Sequence, residues 1–244
     1  MGEFQLKYKP YGERSILVEW PTKIDENILY DLINFKKSLY NHLFESTIQI
    51  KSAYNSLLIT YDNTIDNINN EVSALKALYF AKKRLQKDKF KLWRIPVCYD
   101  DCFALDLDEI SNQSNLSKKE IIRLHSGTIY TVYFIGFLPG FLYMGGLDSR
   151  LFFARKSTPR LQINKGAVAI GGGQTGIYPN DSPGGWNIIG RTPISLFDSN
   201  KEQPCFVKAG DKIQFAPIGL KEYQDISTLV GAGVYPLESE VIND

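Results

Sequence analysis

Residues 134–193 read FIGFLPGFLYMGGLDSRLFFARKSTPRLQINKGAVAIGGGQTGIYPNDSPGGWNIIGRTP. Twelve of the chain's 19 glycines lie between Gly136 and Gly190, and five of its 11 prolines lie between Pro139 and Pro193. Glycine reaches backbone shapes closed to other residues, while proline fixes φ and lacks a donor. Phe134, Phe137, Phe141, Tyr143, Tyr178 and Trp186 are threaded among them. A stretch so punctuated and still apolar is neither linker nor helix. It predicts tight turns packed on a β-framework, the kind of loop in which sites are built.

Working outward, the same character continues. Short apolar runs recur at 130–134, 167–170, 186–190, 195–197, 205–207 and 212–215, separated by turn residues. Ala209-Gly210-Asp211 reads as the turn of a hairpin between CFVK and KIQF. Many short strands at close spacing predict a closed or nearly closed β-barrel. Upstream, 106–127 predicts a helical region in two pieces. Ser117 to Glu120 forms a capping box, His125 falls in the last turn, and Gly127 serves as C-cap.

The first part of the chain is patterned differently. ERSILVEW at 13–20 predicts a strand, and Ile24, Ile28, Leu32, Phe35 and Leu39 predict a helix ending near His42. Strands follow at 48–53 and 56–61. A second helix presents Ile65, Ile68, Val72, Leu75, Leu78 and Leu85, with a basic end at Lys82, Lys83, Arg84 and Lys87. KLWRIPV then predicts a strand at 91–97. The order β-α-β-β-α-β fits a ferredoxin-like α/β sandwich. The fold class expected is α+β, with one domain over 1–89 and a β-barrel over 90–244, divided within LQKDKFK.

Composition sets limits on function. A net charge of +1 over 244 residues gives no bulk attraction to nucleic acid or an acidic membrane. No apolar run approaches the ~18–20 residues of a membrane span, and MGEFQLKYKPYGERS lacks a signal peptide's apolar core, so the location expected is cytoplasmic. Leu6 stands where a myristoylation motif wants Ser or Thr. Cys98, Cys102 and Cys205 lack the second pair of a zinc site, and no metal ligand set is expected.

No P-loop and no GxSxG elbow is present. His125 is a candidate acid or base, with an ordinary pKa near 6.5; helix-end complementation is the alternative. Arg160 and Arg191 each sit beside a proline motif in apolar or glycine-rich runs. A guanidinium there requires a partner, which is either a loop-pinning group or an anionic ligand. Gln174, Tyr178 and Trp186 carry polar tips on flat bodies and suit a pocket wall or a protein interface. The backbone N–H groups of Gly171, Gly172 and Gly173 are candidates for anion binding.

GFLPGFLYMGGLD, TPR, GGGQTGIYP, SPGGW and GRTP occur in this order, and YGERSILVEW, SLLITYDN, RIPVCYD and VKAGDKIQFAPI surround them. Together they resemble the KipI / allophanate hydrolase subunit 1 family, whose widespread bacterial members are the PxpB-type subunits of 5-oxoprolinase. The resemblance implies a KipI-type N-terminal domain and a cyclophilin-like barrel. It implies a subunit 2 (PxpC-type) partner and a PxpA-type partner, which together with this subunit open 5-oxoproline to glutamate, driven by ATP with magnesium. It also implies two alternatives: a KipI-like inhibitor of a sporulation histidine kinase, and allophanate hydrolase subunit 1. The residues carried over are His125, Arg160 and Arg191 as catalytic, with Gly172, Gln174, Tyr178 and Trp186 around the substrate. Two stretches depart from the family pattern. Asp101 to Leu107 replaces a Gly-Gly-Glu and Gly-Pro-Asp-Leu run, and Ile163-Asn164-Lys165 replaces a Val-Pro-Ala type of run.

Overall fold

The computed structural model describes residues 4–42, 47–81 and 89–242. The chain divides into two compact units, Met1–Asp88 and Lys89–Asp244.

The first unit contains β1 (Lys7–Pro10), β2 (Ser15–Glu19), α1 (Glu26–His42), β3 (Thr47–Ser52), β4 (Ser56–Tyr61) and α2 (Ile68–Ala81). Its sheet is antiparallel in the order β1-β2-β4-β3. Side chains alternate across a strand, so Ile16, Val18, Leu57, Ile59 and Tyr61 all point to one buried face. Ile28, Leu32, Phe35 and Leu39 of α1 cover that face, together with Leu75 and Tyr79 of α2. Asp25 starts α1 by accepting the Asn27 N–H at 2.8 Å. The basic end expected at Lys82, Lys83, Arg84 and Lys87, and Leu85, lie outside the described residues.

The ferredoxin-like expectation requires correction in one strand. In that arrangement the strand after the second helix returns to the sheet. That strand is instead part of the second unit, and β1 fills the edge beside β2. The β1–β2 connection is short and turns at Gly12, φ 71°, so the hairpin closes at little entropic cost.

The second unit contains β5 (Phe90–Cys98), α3 (Leu107–Ser114), α4 (Lys118–Ser126), β6 (Ile129–Ile135), β7 (Leu142–Gly145), β8 (Arg160–Ile163), β9 (Ala167–Gly171), β10 (Gln174–Ile177), β11 (Ser182–Gly184), β12 (Asn187–Arg191), β13 (Lys212–Ile218), α5 (Leu220–Gly231) and β14 (Ser239–Ile242). Seven strands run β12-β9-β10-β7-β6-β13-β5, and Arg191 of β12 pairs with Cys98 of β5 to close a barrel. β14 adds to β5 at the far end, and β8 and β11 form a separate ribbon. The expected CFVK–KIQF hairpin does not form. Residues 205–207 are not a strand, and β13 pairs in parallel with β5 and antiparallel with β6. The buried Asp211 carboxylate fixes that corner by accepting from the Lys91 and Lys208 N–H groups and from Trp93 Nε1.

β9 is buried along its whole length. Val168 and Ile170 face the main barrel core, whereas Ala167 and Ala169 face a second cluster with Phe141, Ile163, Tyr178, Trp186 and Ile188. Alanine is small enough to let those rings lie across the strand. Gly171 follows the same demand, since a Cβ there would stand 2.6 Å from the Trp186 ring. This aromatic layer backs the cleft described next.

Candidate functional site

A cleft of about 130 Å³ opens between the loop after β5, the β8 strand and β12. Its floor is Ile163, Ala167 and Ile188, the residues that rest on the Tyr178–Trp186 layer behind them. Leu105 adds an apolar wall, and Gln162 and Asn164 add amides. Gly190 also lines it. A Cβ at Gly190 would stand 2.8 Å from the Cys98 carbonyl, so the seam that closes the barrel requires glycine there.

Arg160 and Arg191 both line this cleft. The sequence singled them out as cations in need of partners, and their partners differ. Arg160 Nη2 donates to Asp106 Oδ1 at 2.6 Å, while its Nη1 is buried with no hydrogen-bond partner. Arg191 Nε donates to the Lys165 carbonyl at 2.9 Å, and its guanidinium lies 5.5 Å from the Phe103 ring centroid. No carboxylate among the described residues pairs with Arg191.

Asp106 organises the loop. It is the residue before α3, yet its side chain does not cap that helix. Its backbone N–H donates to the Ile188 carbonyl at 2.8 Å, and its Oδ2 accepts the Ile188 N–H at 2.6 Å. Oδ1 accepts from Arg160 and, at 3.0 Å, from Lys156, which also bridges to Glu109 at 2.6 Å. Burial alone raises the Asp106 pKa. The Arg160, Ile188 and Lys156 donors outweigh it and hold the carboxyl below the ordinary value. For Lys156, burial lowers the pKa, and Glu109 and Asp106 together raise it above the usual value. Both shifts favour the charged forms of Asp106 and Lys156, and the cluster sets Arg160 and Lys156 against Asp106 and Glu109.

The remaining expected site residues lie elsewhere. His125 is completely buried in the barrel core. Its ring stacks on Phe215 at 4.5 Å, with Nδ1 2.8 Å from the Tyr99 hydroxyl and Nε2 2.8 Å from Thr175 Oγ1. Thr175 gives its own proton to the Ala169 carbonyl, so it accepts from Nε2–H, and Tyr99 donates to Nδ1. Both nitrogens of a neutral ring are satisfied, and burial lowers the pKa to about 3. The candidate acid or base of the sequence therefore lies in the barrel core and not among the residues lining the cleft, where burial favours the neutral ring. Gly172 turns the chain between β9 and β10 at φ 63°, and its N–H donates to the Phe153 carbonyl at 2.7 Å. That donor is committed and gives no anion site. Gln174 sits at the same turn, paired with Gly171 and outside the cleft lining. Tyr178 and Trp186 are buried and support the floor without facing the opening.

Asp106, Lys156 and Phe103 were not among the expected site residues. For Asp106 and Phe103 the available signal was the loop itself; Lys156 carried none. Asp101–Leu107 and Ile163–Lys165 are the two stretches that depart from the family pattern, and both contribute to this cleft.

The sequence matches the family described as carboxyltransferase domain, subdomain C and D, over residues 6–207. The chain belongs to this family. Among curated members, it is 34% identical to the B subunit of 5-oxoprolinase from Haemophilus influenzae Rd, over 87% of this chain and 98% of that one. It is 31% identical to the B subunit of 5-oxoprolinase from Bacillus subtilis strain 168, over 87% of this chain and 92% of that one. Among solved structures, the urea amidolyase of K. lactis superposes with a TM-score of 0.84 over 98% of this chain at 22% identity. The carboxyltransferase-type chain spans 16% of that larger protein, and the likeness is one of fold. No helix among the described residues is long and apolar enough to cross a membrane.

Proposed function

We propose that this chain is the PxpB-type component of an ATP-dependent 5-oxoprolinase, and that the cleft holds 5-oxoproline during its opening to glutamate. The observation that carries this reading is the convergence of Arg160 and Arg191 on one small, apolar-floored cleft. It is supported by the names of relatives that cover most of the chain. The size suits the ligand, since a cavity of roughly 150 Å³ accepts a six-membered ring.

A lactam amide resists hydrolysis, and a site that opens it must fix the ring, exclude water from the wrong face and stabilise charge on the carbonyl oxygen. The guanidiniums supply charge and directed N–H groups. The Ile163, Ala167 and Ile188 floor supplies the dry wall. Hydrolysis breaks the ring C–N bond, with hydroxide adding to the carbonyl carbon and a proton going to the leaving amine. On this reading ATP and its magnesium act in the assembled enzyme, with the subunit 2 (PxpC-type) and PxpA-type partners. The cyclophilin-like character of the barrel belongs to the same reading and carries no isomerase activity with it.

The test is reconstitution. The three subunits together release glutamate from 5-oxoproline only with ATP. Replacing Arg160 and Arg191 together by alanine lowers kcat/KM by roughly 100-fold or more. No glutamate from an intact three-subunit mixture would overturn the reading.

A further inference from the structure

We infer that the two arginines do different work: Arg191 takes the ligand's carboxylate, and Arg160 presents a charge-balanced donor to the ligand's neutral ring oxygen. This deepens the proposed function and rests on it for the identity of the ligand. The asymmetry is in the surroundings. Arg160 belongs to a closed set in which Arg160 and Lys156 face Asp106 and Glu109 at 2.6–3.0 Å. Its positive charge is answered within the protein, by a carboxylate whose side chain is only 3% exposed. A second carboxylate brought to Arg160 meets Asp106 as well, and like charges at a desolvated site repel. What Arg160 still offers at the cleft it lines, with 29% of its side chain exposed, is a guanidinium donor that Asp106 does not engage. A neutral carbonyl oxygen satisfies that donor with no charge to balance, and the same bond strengthens as the oxygen gains negative charge.

Arg191 is the reverse case. A backbone carbonyl and an aromatic face hold it in place, and neither cancels its charge. Both of its Nη groups are without a protein partner among the described residues, which leaves the end of the fork for bidentate carboxylate recognition. Asp106 is then a positioning residue. It holds Arg160 by Nη2 and, by neutralising that cation, directs the anionic end of the ligand to Arg191.

The experiment compares 5-oxoproline with 2-pyrrolidone, the same ring without the carboxylate, by saturation-transfer NMR titration of the full chain. The wild-type chain binds 5-oxoproline at least about tenfold more tightly than 2-pyrrolidone, the factor expected of one charge-assisted pair. R191Q removes that preference and R160Q keeps it. The double variant D106N/R191Q regains part of it, because Arg160 is then an unanswered cation; a purely structural role for Asp106 gives no such rescue. Retention of the preference by R191Q, its loss in R160Q, or absence of binding of either ring to the chain overturns the assignment. In the reconstituted enzyme, R191Q acts mainly on KM and R160Q mainly on kcat. An inactive complex whose chain still shows the Arg191-dependent preference overturns the proposed activity and leaves the assignment standing.

Discussion

Burial holds the His125 imidazole neutral, and that has a consequence in acid. The folded pKa is lowered to about 3, whereas an unfolded histidine titrates near 6.5. The unfolded chain therefore binds a proton that the folded chain refuses. The stability tied to the neutral ring is complete above pH 6.5. It falls by about 1.4 kcal/mol per pH unit as the pH drops from there toward the folded pKa. His125→Gln keeps a polar group of similar length and removes the titration. Its expected signature is a loss of about 1–3 kcal/mol at pH 7.5 together with a shallower acid limb. Urea midpoints followed by tryptophan fluorescence from pH 4 to 8 check this, and a variant with the wild-type slope sinks it. The sequence alone places His125 at the end of a helix. It does not show that Tyr99 and Thr175, 26 and 50 residues away, close over the ring. Asp106 was hidden for the same reason, because its partners Arg160 and Ile188 lie 54 and 82 residues further on. The arginines were visible because a permanent charge in a glycine-rich apolar run demands a partner wherever it folds.

Among the elements, those with a strong local pattern were legible. The α4 capping box forms as read, with Ser117 accepting the Glu120 N–H and Glu120 accepting the Ser117 N–H. Helix α1 follows its apolar period. The four-residue strands β7, β8 and β10 are defined by distant partners and carry no period long enough to read. CFVK has a strand's composition, yet β5 takes the edge of β13 that a hairpin strand needs, through seven parallel pairs. The strand β9 gives a prediction at this scale, since its end separates two uses of glycine. Gly171→Ala drives a methyl into Trp186. Gly172→Ala has open space around it and meets only the strain of φ 63°. The first is expected to cost about 1–3 kcal/mol and to shift the Trp186 emission. The second is expected to cost about 1–2 kcal/mol with the emission unchanged. Chemical denaturation with emission spectra distinguishes them, and an unchanged spectrum in Gly171→Ala rules out the ring contact as its cause.

At the scale of the whole molecule, the buried clusters respect the division into two units. The cluster around Phe35 and Tyr79 draws only on residues of the first unit. The barrel core and the aromatic layer draw only on the second. The barrel as a class was legible from the spacing of short runs, but its closure was not, because closure is the meeting of Cys98 with Arg191. That meeting also brings the loop after β5 against β8 and β12 and so makes the cleft. β5 is the critical strand. It pairs with β13, β14 and β12, and its Ile95 and Val97 are fully buried in the core. A fragment covering 89–244 is therefore expected to fold by itself and to keep the 5-oxoproline preference over 2-pyrrolidone. A fragment covering 99–244, ten residues shorter and lacking β5, is expected to lose cooperative unfolding altogether. It leaves one edge each of β12 and β13 unpaired and opens the core. Circular dichroism melts and the same NMR titration decide it. A cooperative melt from 99–244, or an unfolded 89–244, would show that closure by β5 is not what builds the site.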